Sequence, residues 1–181
     1  SLRHLQFVYH SILEMNSVLS SYNRKIHLLY GEAMDVFTFL SEQFDIQNVY
    51  SYQESGVKTT WDRDKNVSDL FKLKGIKWTE FQRDGIIRGI KNRVNWDKNW
   101  YVAVNSPLIL NGYSQNEGAL KSFPFDLPEP FEKSLQKYPE LFQRPGERYA
   151  LRYMRSFCEG RGVNYIRHIS KPKESRKSCG R

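Results

Sequence analysis

The chain contains few of the residues that build metal sites and disulfide frameworks. It has two cysteines and four histidines in 181 residues, with no CxxC pair and no histidine at zinc-ligand spacing. Neither a disulfide-stapled fold nor a structural zinc site is therefore expected, and we assign no metal ligand. Cys158 and Cys179 are interpreted as reduced thiols of an intracellular protein.

Long apolar runs are also missing. The sequence contains no apolar run of about eighteen residues and no signal-peptide pattern, so we expect no membrane contact and a cytoplasmic location. The chain does not begin with Met, and we interpret it as a piece with an incomplete start. Hydrophobic residues make up 39% and aromatic residues 14% of the chain, which is enough for an ordinary domain with a buried core.

Charge is present, but it is concentrated at one end. The formal net charge is +8, and from Arg152 to Arg181 there are nine Lys or Arg against two Glu. Interspersed charges of both signs nearly cancel in the first 150 residues, as on a solvated globular surface. Any site for a polyanion therefore belongs to the C-terminal segment.

Apolar periodicity predicts alternating helices and strands up to residue 81. Helices are predicted at 4–22, 33–44 and 60–74, and strands at 25–30, 46–52 and 76–81. This alternation favours an α/β fold with a doubly wound, Rossmann-like parallel sheet. Such a sheet normally begins with a strand, so we expect its first strand to be missing. The predicted apolar stripe of the first helix comprises Leu5, Val8, Ile12, Met15 and Leu19.

The pattern changes after residue 106, which suggests three parts. Residues 1–106 are predicted to form the α/β domain, and 107–146, rich in Pro and Gly, an interdomain connector without a periodic element. Residues 147–181 are predicted to begin an all-α domain. Its first helix starts near Glu147 and breaks at Gly160 and Gly162, and its apolar face comprises Ala150, Leu151, Met154 and Phe157.

No nucleotide-binding or catalytic motif is evident from spacing. The turn at 30–33 precedes a helix, whose N-terminus could receive an anion, but it lacks the glycine spacing of a phosphate loop, and an ordinary turn is favoured. The histidines are scattered, so no catalytic residue is assigned. Glu54 and Asp84 follow predicted strands at the carboxyl edge of the sheet, where they are either ligand contacts or solvated carboxylates.

Two tryptophans four residues apart, Trp96 and Trp100, lie among basic residues. Such a pattern occurs in surfaces that stack nucleic-acid bases. It also occurs in helices whose tryptophans close one edge of a core while the cations reach solvent. The second interpretation is favoured.

The order of several motifs resembles the photolyase and cryptochrome family. A strand ending in Gln53-Glu54 is followed by WDRDKNV at 61–67, GIKWTEF at 75–81 and DGIIRG at 84–89, as in the amino-terminal antenna domain of that family. The Arg63-Asp64 pair matches the family's Arg-Asp helix. The closing run SRKSCGR at 175–181 is similar to the entry into the family's helical FAD-binding domain.

The resemblance implies a partial FAD site and an antenna contact. Tyr165 matches a flavin-contacting tyrosine, and Ser178 and Arg181 fall in a turn that contacts the FAD phosphates. Cys179 and Gly180 stand where many members have Thr and Ser. Glu54 matches a carboxylate that contacts an antenna chromophore of folate, deazaflavin or flavin type, and the sequence leaves that type open.

The function implied by the resemblance is that of a blue-light-dependent flavoprotein. The leading hypothesis is part of a monomeric DNA photolyase, a carbon-carbon lyase that uses reduced FAD to repair UV-induced pyrimidine dimers. The adenine pocket, the tryptophan relay and the groove for damaged DNA would lie beyond Arg181, so this piece alone is expected to be inactive. Two alternatives stay open: a cryptochrome-type photoreceptor without repair activity, and an unrelated α/β module whose basic tail binds nucleic acid.

Overall fold

The computed structural model describes residues 1–53, 56–82, 91–107, 109–168 and 171. Contacts divide the chain into two compact units: unit 1 is Ser1–Leu29 with Tyr113–Arg181, and unit 2 is Tyr30–Gly112. Within the described residues there are seven α-helices and one two-stranded parallel sheet. Mixed α/β structure is thereby confirmed, whereas the doubly wound, Rossmann-like sheet stays a prediction.

The described part of the chain contains nine α-helices and strands. In chain order they are α1 (Leu2–Leu19), α2 (Ala33–Gln43), β1 (Asn48–Tyr52), α3 (Lys58–Leu73), β2 (Lys77–Phe81), α4 (Trp96–Val104), α5 (Glu129–Gln136), α6 (Glu147–Glu159) and α7 (Tyr165–His168). Two 3-10 turns occupy Ser20–Tyr22 and Arg161–Asn164. None of the helices in the described ranges is both long enough and apolar enough to cross a membrane.

The core of unit 2 is built where α3 packs on the sheet. Val67, Phe71 and Ile76 are buried there. The Phe71 ring meets the rings of Phe37 and Trp78 edge to face, at centroid distances of 5.1 and 5.5 Å. Edge-to-face pairs of this kind add to the stabilisation from burial alone. The predicted helices of unit 2 therefore form because their apolar faces share one core.

Parallel pairing joins β1 and β2 in the register Val49 to Trp78. The indole Nε1 of Trp78 donates a 3.0 Å hydrogen bond to Ser51 Oγ. Because α3 connects these two parallel strands, β1, α3 and β2 form one βαβ unit. The sequence predicted both of these strands and this crossover helix.

Gly75 terminates α3 as the sequence predicted. Its φ is +70°, and the Ile76 and Gly75 amides donate to the carbonyls of Phe71 and Lys72 at 2.8 and 3.2 Å. This is a Schellman ending, with Ile76 returning to the Phe71 cluster. The helix starts at Lys58 rather than at Thr60, and its first turn contains no acidic residue.

The predicted strand at 25–30 is wrong, because the structure has no strand there. The backbone of Ile26 bonds instead to the side-chain amide of Asn16: its N–H donates to Oδ1 at 2.7 Å, and its carbonyl accepts from Nδ2 at 3.0 Å. Asn16 thus supplies the donor and the acceptor that a neighbouring strand would have offered. An apolar run alone carries no information about such a side-chain partner.

The buried face of α1 differs from the predicted stripe. Leu19 is buried as predicted, but Leu5, Val8 and Met15 are 46, 41 and 44% exposed, and Gln6 and Tyr9 are buried instead. The reason is α5, on which α1 packs. α1 turns toward α5 the side chains that can donate hydrogen bonds to the end of that helix.

The last carbonyls of α5 receive their hydrogen bonds from α1. Gln6 Nε2 donates to the carbonyls of Ser134 and Lys137, both at 2.8 Å. His10 Nε2 lies 3.1 and 3.0 Å from those of Leu135 and Gln136. Since carbonyl oxygens only accept, His10 carries its hydrogen on Nε2. Carbonyls that a helix end leaves without intrahelical partners are thereby satisfied.

The predicted connector at 107–146 contains a helix that the sequence analysis did not foresee. α5 begins directly after Pro128, with Pro130 in its first turn, and buries Leu135 to 3% exposure. Proline fits the first turn of a helix, where its missing N–H has no intrahelical partner. The prolines that suggested an irregular connector therefore mark the start of a helix.

Candidate functional site

Tyr165 is the predicted flavin-contacting residue that the structure describes. It is the first residue of α7, is half-buried, and packs edge to face on Phe157 at a centroid distance of 5.5 Å. Within the described part of the chain, its hydroxyl has no hydrogen-bond partner. The ring is therefore held by its contact with Phe157.

The turn before Tyr165 depends on glycine. α6 ends at Glu159, and the chain passes through Gly160 into the 3-10 turn Arg161–Asn164. A Cβ on Gly162 would lie 2.7 Å from the Phe157 carbonyl oxygen, so a larger residue would force the backbone away. The break predicted at Gly160 and Gly162 is confirmed, and it sets the distance between α6 and Tyr165.

The other predicted ligand residues lie outside the described residues. Ser178 and Arg181 follow residue 171, and Glu54 and Asp84 lie in the ranges 54–55 and 83–90. Among the residues predicted to contact FAD, Tyr165 therefore has a described geometry, and Ser178 and Arg181 do not. The roles of Ser178, Arg181 and Glu54 stay predictions.

The Arg63-Asp64 pair is an ion pair on α3. Arg63 Nε and Nη2 lie 2.9 and 2.6 Å from Asp64 Oδ1, and the Asp64 side chain is 17% exposed. Asp64 lines a cavity of about 300 Å³ together with Trp61 and Trp78. The sequence analysis did not identify this cavity, although two tryptophans near a carboxylate in one βαβ unit were a usable signal.

α4 does not pack as the favoured interpretation required. Trp96 and Trp100 are 40 and 38% exposed and stack on each other, with an interplanar angle of 16° and centroids 6.4 Å apart. No residue of α4 is buried. The expectation that these tryptophans close an edge of the core is therefore wrong for the described residues. Their aromatic faces lie at the surface.

A group of arginines at the C-terminal end of α6 was not singled out from the sequence beyond its charge. Arg152, Arg155 and Arg161 line one groove of about 640 Å³ together with Ser156 and Glu159. Arg161 Nη2 donates to the Tyr153 carbonyl at 2.8 Å, and its Nε donates to Ser156 Oγ at 3.0 Å. These bonds hold one guanidinium in place against the helix.

Glu14 of α1 lies against the start of α6. Its carboxylate contacts Gly146, the N-cap residue of α6, and Arg148 Nε lies 3.8 Å from its Oε1. Its Oε2 is buried with no hydrogen-bond partner in the described residues. A carboxylate is favoured at a helix N-terminus by the helix dipole, so we assign Glu14 a role in holding α6.

The structure supports neither an anion site at the turn 30–33 nor a metal site among the described residues. Glu32 is the N-cap residue of α2 and Asp35 lies in its first turn, so acidic side chains already occupy the turn at 30–33 where an anion was considered. Within the described ranges, no three His, Cys, Asp or Glu side chains converge as metal ligands would.

Comparison with known proteins gives no family assignment. No protein-family model matches the chain, and no curated protein matches it.

Proposed function

We propose that the chain is part of a blue-light-dependent flavoprotein of the photolyase and cryptochrome type. We further propose that this flavoprotein is a DNA photolyase, which repairs UV-induced pyrimidine dimers by electron transfer from reduced FAD. The observation that carries the proposal is the placement of Tyr165: a half-buried ring at the start of α7, directly after a glycine-dependent turn, with its hydroxyl unpaired among the described residues.

The βαβ unit supports the same proposal. Its strands are parallel and adjacent, as an antenna domain requires, and the Arg63-Asp64 pair lies on the helix between them. In the proposed protein, unit 2 belongs to the antenna region, and Glu54 contacts the chromophore. Tyr165, with Ser178 and Arg181, contributes the first contacts to the FAD phosphates.

The proposal is tested by the flavin content of the full-length protein. We expect purified protein to show flavin absorbance, and Tyr165→Phe to lower flavin occupancy because the hydroxyl is lost while the ring contact with Phe157 is kept. Tyr101→Phe is the matched control, since that tyrosine is 58% exposed on α4. Protein that is folded and binds no flavin under any redox condition would sink the proposal.

Repair distinguishes photolyase from cryptochrome. We expect blue light to restore an oligonucleotide that contains a pyrimidine dimer when reduced flavoprotein is present. Flavin binding without repair identifies the cryptochrome alternative. Binding of nucleic acid without flavin identifies the α/β module with a basic tail.

A further inference from the structure

The arginine groove at the end of α6 has the composition of an anion site. Three of its lining residues are cationic and one is anionic, Glu159. Within the described residues, no carboxylate lies within salt-bridge distance of Arg152, Arg155 or Arg161. Arg152 and Arg155 are three residues apart on one helix, where like charges repel each other and destabilise the helix. A bound anion would remove this repulsion.

Arg161 distinguishes the groove from ordinary surface charge, because its side chain is held in one position by hydrogen bonds. Its Nε and Nη2 are fixed by Ser156 Oγ and the Tyr153 carbonyl. Its Nη1 is buried with no hydrogen-bond partner among the described residues. The two hydrogen bonds fix the guanidinium of Arg161 beside the groove, where its positive charge attracts an anion.

The chemistry of the lining residues selects the kind of anion. Ser156 Oγ accepts from Arg161, so its own O–H can donate to a ligand. Guanidinium groups bind phosphate oxygens in a bidentate manner, and several of them match a group with three or four oxygens better than a single carboxylate. The open groove, of about 640 Å³, also has room for more than one phosphoryl group.

We propose that Arg152, Arg155, Ser156 and Arg161 form a binding site for a phosphate group, separate from the flavin contact at Tyr165. Tyr165 does not line this groove, and the inference does not depend on flavin binding. The phosphate group belongs either to a free ligand such as pyrophosphate or to a nucleic-acid backbone.

The test is a titration of the full-length protein, followed by NMR of the arginine Nε–H groups. Pyrophosphate and a short thymidine oligonucleotide are added separately, with chloride at matched ionic strength as the reference. We expect saturable shifts of the Arg161 and Arg155 signals. Tighter binding of pyrophosphate identifies a free ligand, and tighter binding of the oligonucleotide identifies a nucleic-acid backbone.

Substitutions test whether anion binding depends on the arginines of this groove. The double substitution Arg152→Gln with Arg155→Gln removes two cations whose side chains make no hydrogen bond within the described residues. We expect it to weaken binding about tenfold or more, because charge-assisted hydrogen bonds to the anion are lost. Arg155→Gln alone is compared with the matched control Arg148→Gln, in which the same helix loses one cation outside the groove, from a side chain that is 80% exposed.

Three results would overturn the site. One is an equal loss of binding in Arg148→Gln and in Arg155→Gln, which indicates general charge attraction. Another is a set of shifts that chloride reproduces at the same ionic strength. The third is a titration that does not saturate. Arg161, whose guanidinium is bonded to α6, is left unchanged in every variant, so these hydrogen bonds are kept.

Discussion

Gly146 and Gly75 both have positive φ, but their surroundings differ. Gly146 has φ +106° and lies against the Glu14 carboxylate, which a Cβ would overlap. Gly75 has φ +70°, and a Cβ there would meet nothing within 4 Å. Backbone conformation alone therefore disfavours a side chain at Gly75, whereas conformation and contact both disfavour one at Gly146.

We expect Gly146→Ala to be the more destabilising of the two substitutions. Gly75→Ala should cost about 1 kcal/mol, the usual penalty for a left-handed alanine. Gly146→Ala should cost about 3 kcal/mol, because its region of φ and ψ is nearly restricted to glycine and Glu14 must also move. Urea unfolding of both variants measures the difference, and equal costs would show that Glu14 yields freely.

His27 makes stability depend on pH. Burial, and then the charge of Lys25, lower its pKa below the ordinary value of 6.5. As the pH falls below 6.5, the imidazole takes up its proton more readily in the unfolded chain, so the folded state loses stability until the folded pKa is also passed.

We expect His27→Gln to lose less stability than the wild type between pH 7 and pH 5. Glutamine has no proton to gain in this range, so this contribution to the pH dependence disappears. Thermal unfolding at each pH measures the effect. Identical pH dependence in the two proteins would assign the acid sensitivity to other groups.

At the scale of elements, the contact between α1 and α5 rests on side chains that cap a helix. Removal of the Gln6 side chain leaves two carbonyls at the end of α5, those of Ser134 and Lys137, without their donor. Removal of the His10 side chain does the same to the carbonyls of Leu135 and Gln136. We expect Gln6→Ala and His10→Ala each to cost about 2 kcal/mol, because partly buried acceptors lose their partners. Chemical denaturation provides the measurement.

Ser11→Ala is the control for these caps. Ser11 Oγ bonds only to the carbonyl of Phe7 in its own helix and is not in contact with α5 through a hydrogen bond. Its substitution should change stability by less than about 0.5 kcal/mol. A loss as large as that of the cap variants would mean that α1 is sensitive to any substitution.

The tryptophans of unit 2 provide a matched comparison between a core element and an exposed one. Trp78 packs on Phe71 and bonds to Ser51, so Trp78→Ala should cost about 4 kcal/mol. Trp100 is 38% exposed and contacts its neighbours Trp96 and Tyr101, so Trp100→Ala should cost about 1 kcal/mol. Similar unfolding midpoints for both variants would contradict the assignment of α4 to the surface.

The elements that could be predicted from sequence are those with local signals. α3 has an apolar face and a glycine at its end, and α6 has a periodic face followed by Gly160. The segment at 25–30 and the orientation of α1 could not be predicted, because both depend on partners distant in sequence, Ile26 on Asn16 and Gln6 on α5. Periodicity identifies the apolar face of a helix, but it does not predict that an amide side chain will be buried because it caps another helix.

The candidate site also contains one residue that was predicted from the sequence and one group of residues that was missed. Tyr165 was predicted from a family resemblance, and its half-buried position after a glycine turn is compatible with that role. The arginine groove was missed, since its residues look like ordinary surface charge until the fixed guanidinium of Arg161 is seen. Three-residue spacing of Arg152 and Arg155 on a helix suggests a shared face, but only the structure shows that these cations lack carboxylate partners among the described residues.

At the scale of the whole molecule, the positive charge of the C-terminal segment has two explanations, a nucleic-acid tail or a site for FAD phosphates, and they can be separated by experiment. Residues 172–181 contain four cations, Lys173, Arg176, Lys177 and Arg181. If they form a nucleic-acid tail, each contact to a single strand contributes about −0.7 to the slope of log affinity against log salt. If the segment instead holds FAD phosphates, its lysines make no contact with DNA.

We expect Lys173→Gln with Lys177→Gln to leave that salt slope unchanged in the full-length protein. Neither lysine is assigned to the flavin, so flavin occupancy should also be unchanged. Fluorescence anisotropy of a labelled single strand, measured over a series of salt concentrations, determines the slope. A decrease in its magnitude of about 1.4 would mean that both lysines bind phosphates. The tail would then be a nucleic-acid contact, which would contradict the flavin assignment of Ser178 and Arg181.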